Sequence, residues 1–398
     1  MSLLSRNSPW LVVFILFAVP LGPMATDVFT PSLPAIQTAF SATRASVQWS
    51  IPVFLLSYAL GQIVYGSLSD SWGRRGLSCL GLLIFVGGCL VAIWAPSVEV
   101  LLAARFLQGL GISATSVLTK TMTGDCYEGD QLKQVSGWIT LLWGFSPVVA
   151  PALGGYLQQY FGWQACFYLL LGYGLLSLAV FSLIMPETSS DKQSLDLRSL
   201  FRDQMNIVKH LPFLLNVVVF GCSYSVMQAF NIFAPFMVQD LLGYSPVFYG
   251  HLALVVGFSF LLGASVYKVC VKKIGAEKSY SVALWGHVFG SVLILILAEL
   301  GFFDIWAIVG PTCIVVFFSS FISSHCMATG IAMFTRNTGT AVALMSFLLI
   351  FLSVIVTFSF SFIHVSSQKP LAVVFILLSL TALVASMLEK KRQEPAAV

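Results

Sequence analysis

Stretches with no Asp, Glu, Lys or Arg recur along the whole chain, each close to the ~20 residues a helix needs to cross ~30 Å of hydrocarbon. Arg6 to Asp27, Arg44 to Asp70, Arg75 to Glu99 and Lys278 to Glu299 each enclose one such stretch, and the longer gap from Lys133 to Glu187 holds two. With Gly, Pro and polar clusters read as punctuation, the pattern predicts spans near 10–30, 47–69, 77–95, 99–121, 134–158 and 163–185. A second six follow near 211–237, 248–270, 279–300, 303–326, 338–363 and 370–388. Arg6 and the small residues downstream also suit a cleaved signal peptide, but the length of the run and its internal Pro20, Gly22 and Pro23 favour a retained first span.

The longest polar stretch, Pro186 to His210, divides the spans six and six. The expected organisation is a six-helix half over 1–185, a cytoplasmic linker over 186–210 and a second six-helix half over 211–398. Leu195, Leu197, Leu200 and Phe201 among the linker charges suit either a short amphipathic helix on the cytoplasmic interface or a flexible connection. Two equal halves suggest an all-α integral membrane protein of twelve transmembrane helices in two pseudo-symmetric halves, with a substrate site at the midplane between them. The loop after span 2, Gly66 to Arg75, has a faint counterpart from Gly263 to Lys272 and Lys273.

Composition agrees with lipid as the main solvent: the chain has 398 residues, 58% hydrophobic and 9% charged, against roughly 25% charged in soluble domains. Basic residues stay on the cytoplasmic side of a membrane. With both termini inside, all but three of the 20 Lys and Arg residues fall in cytoplasmic loops, tails or helix ends; Arg44 and Lys369 lie outside and Arg105 lies within span 4. The net charge of +4 is therefore topology, and nucleic acid is not an expected partner. The eight cysteines form no CxxC pair and read as small packing residues, not a zinc site or disulfide frame.

Three segments carry chemistry. The loop Gly66-Ser-Leu-Ser-Asp70-Ser-Trp-Gly73-Arg74-Arg75 combines turn glycines with a carboxylate that can accept from helix N-terminal amides or pair with an Arg. Span 4 holds Arg105-Phe-Leu-Gln108-Gly109-Leu-Gly111, and an Arg at bilayer depth costs from ~3 to over 10 kcal/mol, so it should face a cavity or a partner. Span 1 holds Asp27-Val-Phe-Thr-Pro31-Ser-Leu-Pro34, at a depth matching Arg105 in the outer half. An Asp27–Arg105 pair there could trade a proton for substrate, or serve as a static pair fixing helix register. Gln108, one turn inward from Arg105, could bind substrate, hold the Arg or join helices.

The Gly66 loop, with Ser71 standing where a base is usual, resembles the signature loop of the major facilitator superfamily. The Arg105 segment is similar to that family's R-x-x-Q-G-x-G motif, and Asp27 to Pro34 resembles the D-x-x-x-P-x-x-P signature of its bacterial drug:proton antiporters in the bicyclomycin and chloramphenicol resistance branch. Span 5, with Gly144, Pro147, Pro151, Gly154 and Gly155, resembles the family's antiporter motif, a kinked, close-packed gating element. The likeness is dense to about residue 190 and rests on topology beyond it. It implies a major facilitator fold, a latch between the halves at Gly66, Asp70, Gly73, Arg74 and Arg75, and proton coupling through Asp27 and Arg105.

Tyr58, Gln62, Tyr224, Gln228 and Asn231 are polar or aromatic at helical spacing in spans 2 and 7 and suit a cavity for an amphipathic solute. His325, beside Ser323 and Ser324, is a further candidate, whereas His287 reads as an interhelical hydrogen-bond partner or a proton carrier. No metal-ligand spacing, nucleotide loop or nucleophile–base constellation points to an enzyme. The expectation is a monomeric exporter of a small drug, metabolite or siderophore in the bacterial inner membrane, using protons and no other cofactor. A proton-coupled importer and a non-transporting sensor are the alternatives, because direction is set by gradients and affinities that motifs do not encode.

Overall fold

The computed structural model describes residues 10–189, 197–334 and 338–393, and contains twelve helices among them long and apolar enough to cross a membrane. Arg6, Leu195, Lys192, Arg336 and the side chains of Asp70, Leu197, Leu200 and Phe201 lie outside the described residues. The chain divides into two compact units, Met1–Leu200 and Phe201–Val398, six spans in each. Spans 1 to 6 are Leu11–Ala39, Arg44–Ser69, Arg74–Ile93, Val98–Cys126, Gly129–Phe161 and Gln164–Ile184. Spans 7 to 12 are Leu211–Leu241, Pro246–Ile274, Ala276–Glu299, Ile305–Ala332, Thr340–Phe360 and Lys369–Lys391.

Span 1 differs most from its predicted extent, running to Ala39 instead of stopping near residue 30. Pro31 and Pro34 looked like a terminus, but each sits at the first or second position of a new helical piece, where a missing N–H costs nothing. The linker contains a helix over Leu197–Val208, whose Ile207 is buried with Phe213, Val217, Ala341, Leu344 and Met345 in unit 2. The division between the units falls inside this helix.

In unit 1 the core is built on span 4, which glycines allow spans 2 and 3 to approach at backbone distance. A Cβ at Gly109 would strike the Phe54 carbonyl, one at Gly61 the Ser113 hydroxyl, and one at Gly81 would lie 2.6 Å from the Gly111 carbonyl. Unit 2 repeats this plan. Gly263 meets Ser320 and the Phe317 carbonyl as Gly61 meets Ser113 and Leu110, and both serines donate three residues back, to Leu110 and Phe317.

Single glycines join spans 2 to 3 and 8 to 9 in matching conformations, Gly73 at φ 93°, ψ 158° and Gly275 at φ 87°, ψ 160°. Side chains other than hydrogen rarely enter this region. These matches set the register of the repeat: Gly263 corresponds to Gly61 and not, as the sequence suggested, to Gly66.

Candidate functional site

Span 1 is broken beside its acidic residue, and the prolines explain the break. Helical hydrogen bonding would take the Asp27 carbonyl to the amide of residue 31 and the Thr30 carbonyl to that of residue 34, and both amides are lost to Pro. The α-helix accordingly stops at Asp27, a 3-10 turn occupies Thr30–Ser32, and a new α-helix starts at Leu33. The Thr30 hydroxyl donates to the Asp27 carbonyl at 2.8 Å, while the Leu33 amide serves the Thr30 carbonyl. Asp27 is 4% exposed. Substrate and coupling-ion sites in secondary transporters are typically formed by discontinuous helices.

Arg105 of span 4 docks against this segment with no exposed surface. Its Nη1 donates to the Ala25 carbonyl at 3.0 Å and to Gln108 Oε1 at 2.7 Å, and its Nε donates to the Ser50 carbonyl at 3.3 Å. Phe29 and Phe54 cover the guanidinium, each ring centroid 4.2 Å from Cζ, which adds roughly 2 kcal/mol per desolvated pair at best. Gln108 is held in turn through Nε2, 3.4 Å from Cys89 Sγ. Nη2 is buried with no hydrogen-bond partner among the described residues. Through the Ala25 carbonyl, two residues before Asp27, the guanidinium is held against the segment that carries the acid.

Tyr58 lies next to this centre, stacked on Phe54 at 6.0 Å. Both its hydroxyl and Ser116 Oγ pack over Gly22 in span 1. Gln62 is half-buried one turn further along span 2. Span 5 lies along span 1 through its motif: the Ser146 hydroxyl donates to the Pro20 carbonyl at 2.9 Å, and a Cβ on Gly154 would fall on the Val28 carbonyl.

Pro147 and Pro151 stay within one continuous helix, with Pro151 and Gly155 buried. Gly144 has open space where its Cβ would be, so within the motif Gly154 makes the close approach.

The cytoplasmic loop gathers the ends of spans 3, 4 and 6. Span 3 begins at Arg74 with Gly73 as an N-cap that has no side chain to offer, and Glu187 supplies the cap from beyond span 6. Its Oε1 accepts from the Arg74 amide at 2.8 Å and its Oε2 from the Arg75 amide at 3.1 Å. Arg74 Nε pairs with Asp125 Oδ2 at 3.2 Å, and Thr188 donates to the same oxygen at 3.0 Å. Arg75 donates to the carbonyls of Phe181 and Ser182. These contacts all lie within unit 1, and a Cβ added at Gly66 would lie 3.9 Å from Val117 of span 4.

In unit 2, Gln228 Nε2 donates to the Tyr224 hydroxyl at 3.2 Å, and its Oε1 is buried without a partner; Asn231 is buried one turn on. His325 is stacked on Tyr280 at 4.1 Å, with Nδ1 3.5 Å from the Tyr267 hydroxyl and Nε2 3.8 Å from Glu277 Oε1. His287 is enclosed between Ser379 at 2.6 Å and Ser319 at 3.1 Å, joining spans 9, 10 and 12. Sequence reasoning did not find Phe29, Phe54, Cys89 or Asp125. Their residue types are common in any span or loop, and only the fold brings them to Arg105, Tyr58 and Arg74.

A family model described as Major Facilitator Superfamily matches residues 14–357. The chain is 28% identical over 331 residues to the bicyclomycin resistance protein homolog of Haemophilus influenzae, covering 81% of each chain. It is 34% identical over 185 residues to multidrug resistance protein D of Escherichia coli, covering 46% of each. Among solved structures, a D-xylose–proton symporter superposes with a TM-score of 0.74 at 15% identity, covering 93% of this chain and 96% of that one.

Proposed function

Because the chain belongs to the major facilitator superfamily and is a multi-pass membrane transporter, not an enzyme, we propose that it is a proton-coupled antiporter of the bacterial inner membrane, exporting a small amphipathic compound. The observation that carries this reading is the buried Arg105, fixed by Ala25, Ser50 and Gln108, facing the segment where span 1 breaks at Asp27. A carboxylate at this depth is tolerable only beside a positive group. Arg105 provides one that does not move away, because neutral acceptors and two rings already hold it.

In this reading, a proton and a hydrogen-bond-donating substrate compete for the Asp27 carboxylate, so loading one expels the other. Tyr58, Gln62 and Gln108 in unit 1, and Tyr224, Gln228, Asn231 and His325 in unit 2, are the groups proposed to meet the solute. The relatives named for bicyclomycin, chloramphenicol and multidrug resistance support an amphipathic drug as cargo.

Expression in a bacterial strain stripped of its own drug exporters tests the direction. Lower steady-state accumulation of bicyclomycin or chloramphenicol, restored to the empty-vector level by an uncoupler, is expected. Raised accumulation would identify an importer, and unchanged accumulation of every compound bound by the purified protein would identify a sensor.

A further inference from the structure

The break in span 1 leaves backbone acceptors that must be served from other spans: the Ala25 carbonyl takes Arg105, and the Val28 carbonyl is another. The Asp27 and Thr30 carbonyls are served by the Thr30 hydroxyl and the Leu33 amide. The Val28 carbonyl would take the Ser32 amide in a continuous helix, but that amide turns back to the Phe29 carbonyl at 2.8 Å. Val28 is fully buried, and Gly154 of span 5 lies against its carbonyl. A buried carbonyl without a donor is costly.

The donor comes from span 6. Cys166, with no exposed surface, places Sγ 3.4 Å from the Val28 carbonyl oxygen, 3.6 Å from Ser32 Oγ and 3.9 Å from the Gly154 carbonyl. The thiol has one proton, and Val28 is the nearest acceptor. The Ser32 hydroxyl can then donate to the sulfur, completing a short relay from span 1 through span 6 and back to the residue after Asp27. A thiol is a weak donor, so such a clamp holds a geometry while remaining easy to release.

We propose that Cys166 is a positioning residue for Asp27: its thiol holds the Val28 carbonyl and so keeps span 1 broken in one fixed arrangement beside the acid. This rests on the reading of Asp27 as the proton site. Among the described residues, Arg105 is the charged group held against this segment, at the Ala25 carbonyl, while the Thr30 hydroxyl donates to the Asp27 carbonyl and Ser32 sits against Cys166. The role asks for a donor on a side chain small enough to fit beside Gly154, which Ala and Val do not supply and Ser does.

Infrared difference titration of the full-length protein in lipid nanodiscs tests this without a substrate. The Asp27 carboxyl band is assigned by its loss in Asp27→Asn, and the Cys166 S–H band by its loss in Cys166→Ala. The expected results are an S–H band at the position of a hydrogen-bonded thiol and an Asp27 titration midpoint displaced by about half a pH unit or more in Cys166→Ala and Cys166→Val, with Cys166→Ser returning it to the wild-type value. An S–H band at the free-thiol position, or a midpoint that neither Ala nor Val moves, would overturn the proposal. The Cys166 S–H band is equally assigned by its loss in Cys166→Ser, which keeps a donor, so that reading stands even where Cys166→Ala folds poorly. Failure of Asp27 as the coupling site would show separately, as proton–substrate exchange that survives Asp27→Asn, and would leave both infrared results unchanged.

Discussion

At Arg105 the cost of burying a charge is offset by distributing it: two backbone carbonyls, one amide oxygen and two aromatic faces share the guanidinium. Only the planar fork of Arg can reach acceptors on three separate segments while presenting flat faces to rings on both sides. Gly154 shows the same economy in space. Adding a methyl there would drive it into the Val28 carbonyl, backbone against side chain, and neither can yield without moving span 1 or span 5. Gly154→Ala is expected to cost about 1–3 kcal/mol of stability, as overpacking typically does, and to abolish export. Gly144→Ala, whose methyl meets open space, should leave both unchanged. Thermal melting of the purified variants in detergent, with drug accumulation in cells, separates the two glycines; equal effects would mean that the motif acts through helix flexibility and not through this contact.

Among the elements, span 3 illustrates what sequence could and could not foretell. Its apolar run, Leu77 to Ile93 after Arg74-Arg75-Gly76, was legible from the absence of charge, as were the other spans. Its N-cap was not. Gly73 offers no side chain, and the carboxylate that satisfies the first amides comes from Glu187, 113 residues along the chain from Arg74. Helix starts are normally capped within a few residues, so no local signal marks this pair. The span 1 break was half legible: the prolines announced lost donors, but read as punctuation they ended the span too early, since nothing in their spacing says that the helix resumes at Leu33.

Glu187 therefore staples the end of span 6 to the start of span 3. Glu187→Ala should lower stability by about 1–2 kcal/mol, the usual value of a cap at a helix N-terminus with its dipole, with Glu187→Asp recovering part of it. Denaturation in detergent micelles checks this, and a wild-type midpoint in Glu187→Ala would show that water or another group replaces the cap.

Across the whole molecule, the two units share a packing scheme but not a charge scheme. Gly88 and Gly290 occupy equivalent places, the first against the amide of Gln108 and the second against the amide of Val315. The register that pairs Ser113 with Ser320 thus sets Val315 opposite Gln108 and Thr312 opposite Arg105. Unit 2 keeps the close helix contacts and replaces the buried Arg with a threonine whose hydroxyl donates to its own helix at 2.7 Å. Its polar groups within the spans include amides, serines and histidines, such as Gln228 with Tyr224 and His287 with Ser319 and Ser379, and its buried carboxyl, Glu389, lies near the end of span 12. This division explains why motif matches were dense in the first half and sparse in the second: the charged signatures belong to unit 1, while what the repeat preserves is spacing between glycines. In the proposed function, proton coupling therefore belongs to unit 1.

The most direct test uses inverted membrane vesicles with an acid interior and a pH-sensitive dye, adding a compound that the wild-type protein exports to wild type and to Asp27→Asn. Proton release from the wild-type vesicles on addition is expected, and none from Asp27→Asn at matched protein levels. Equal responses in the two would contradict this and remove Asp27 from the coupling site.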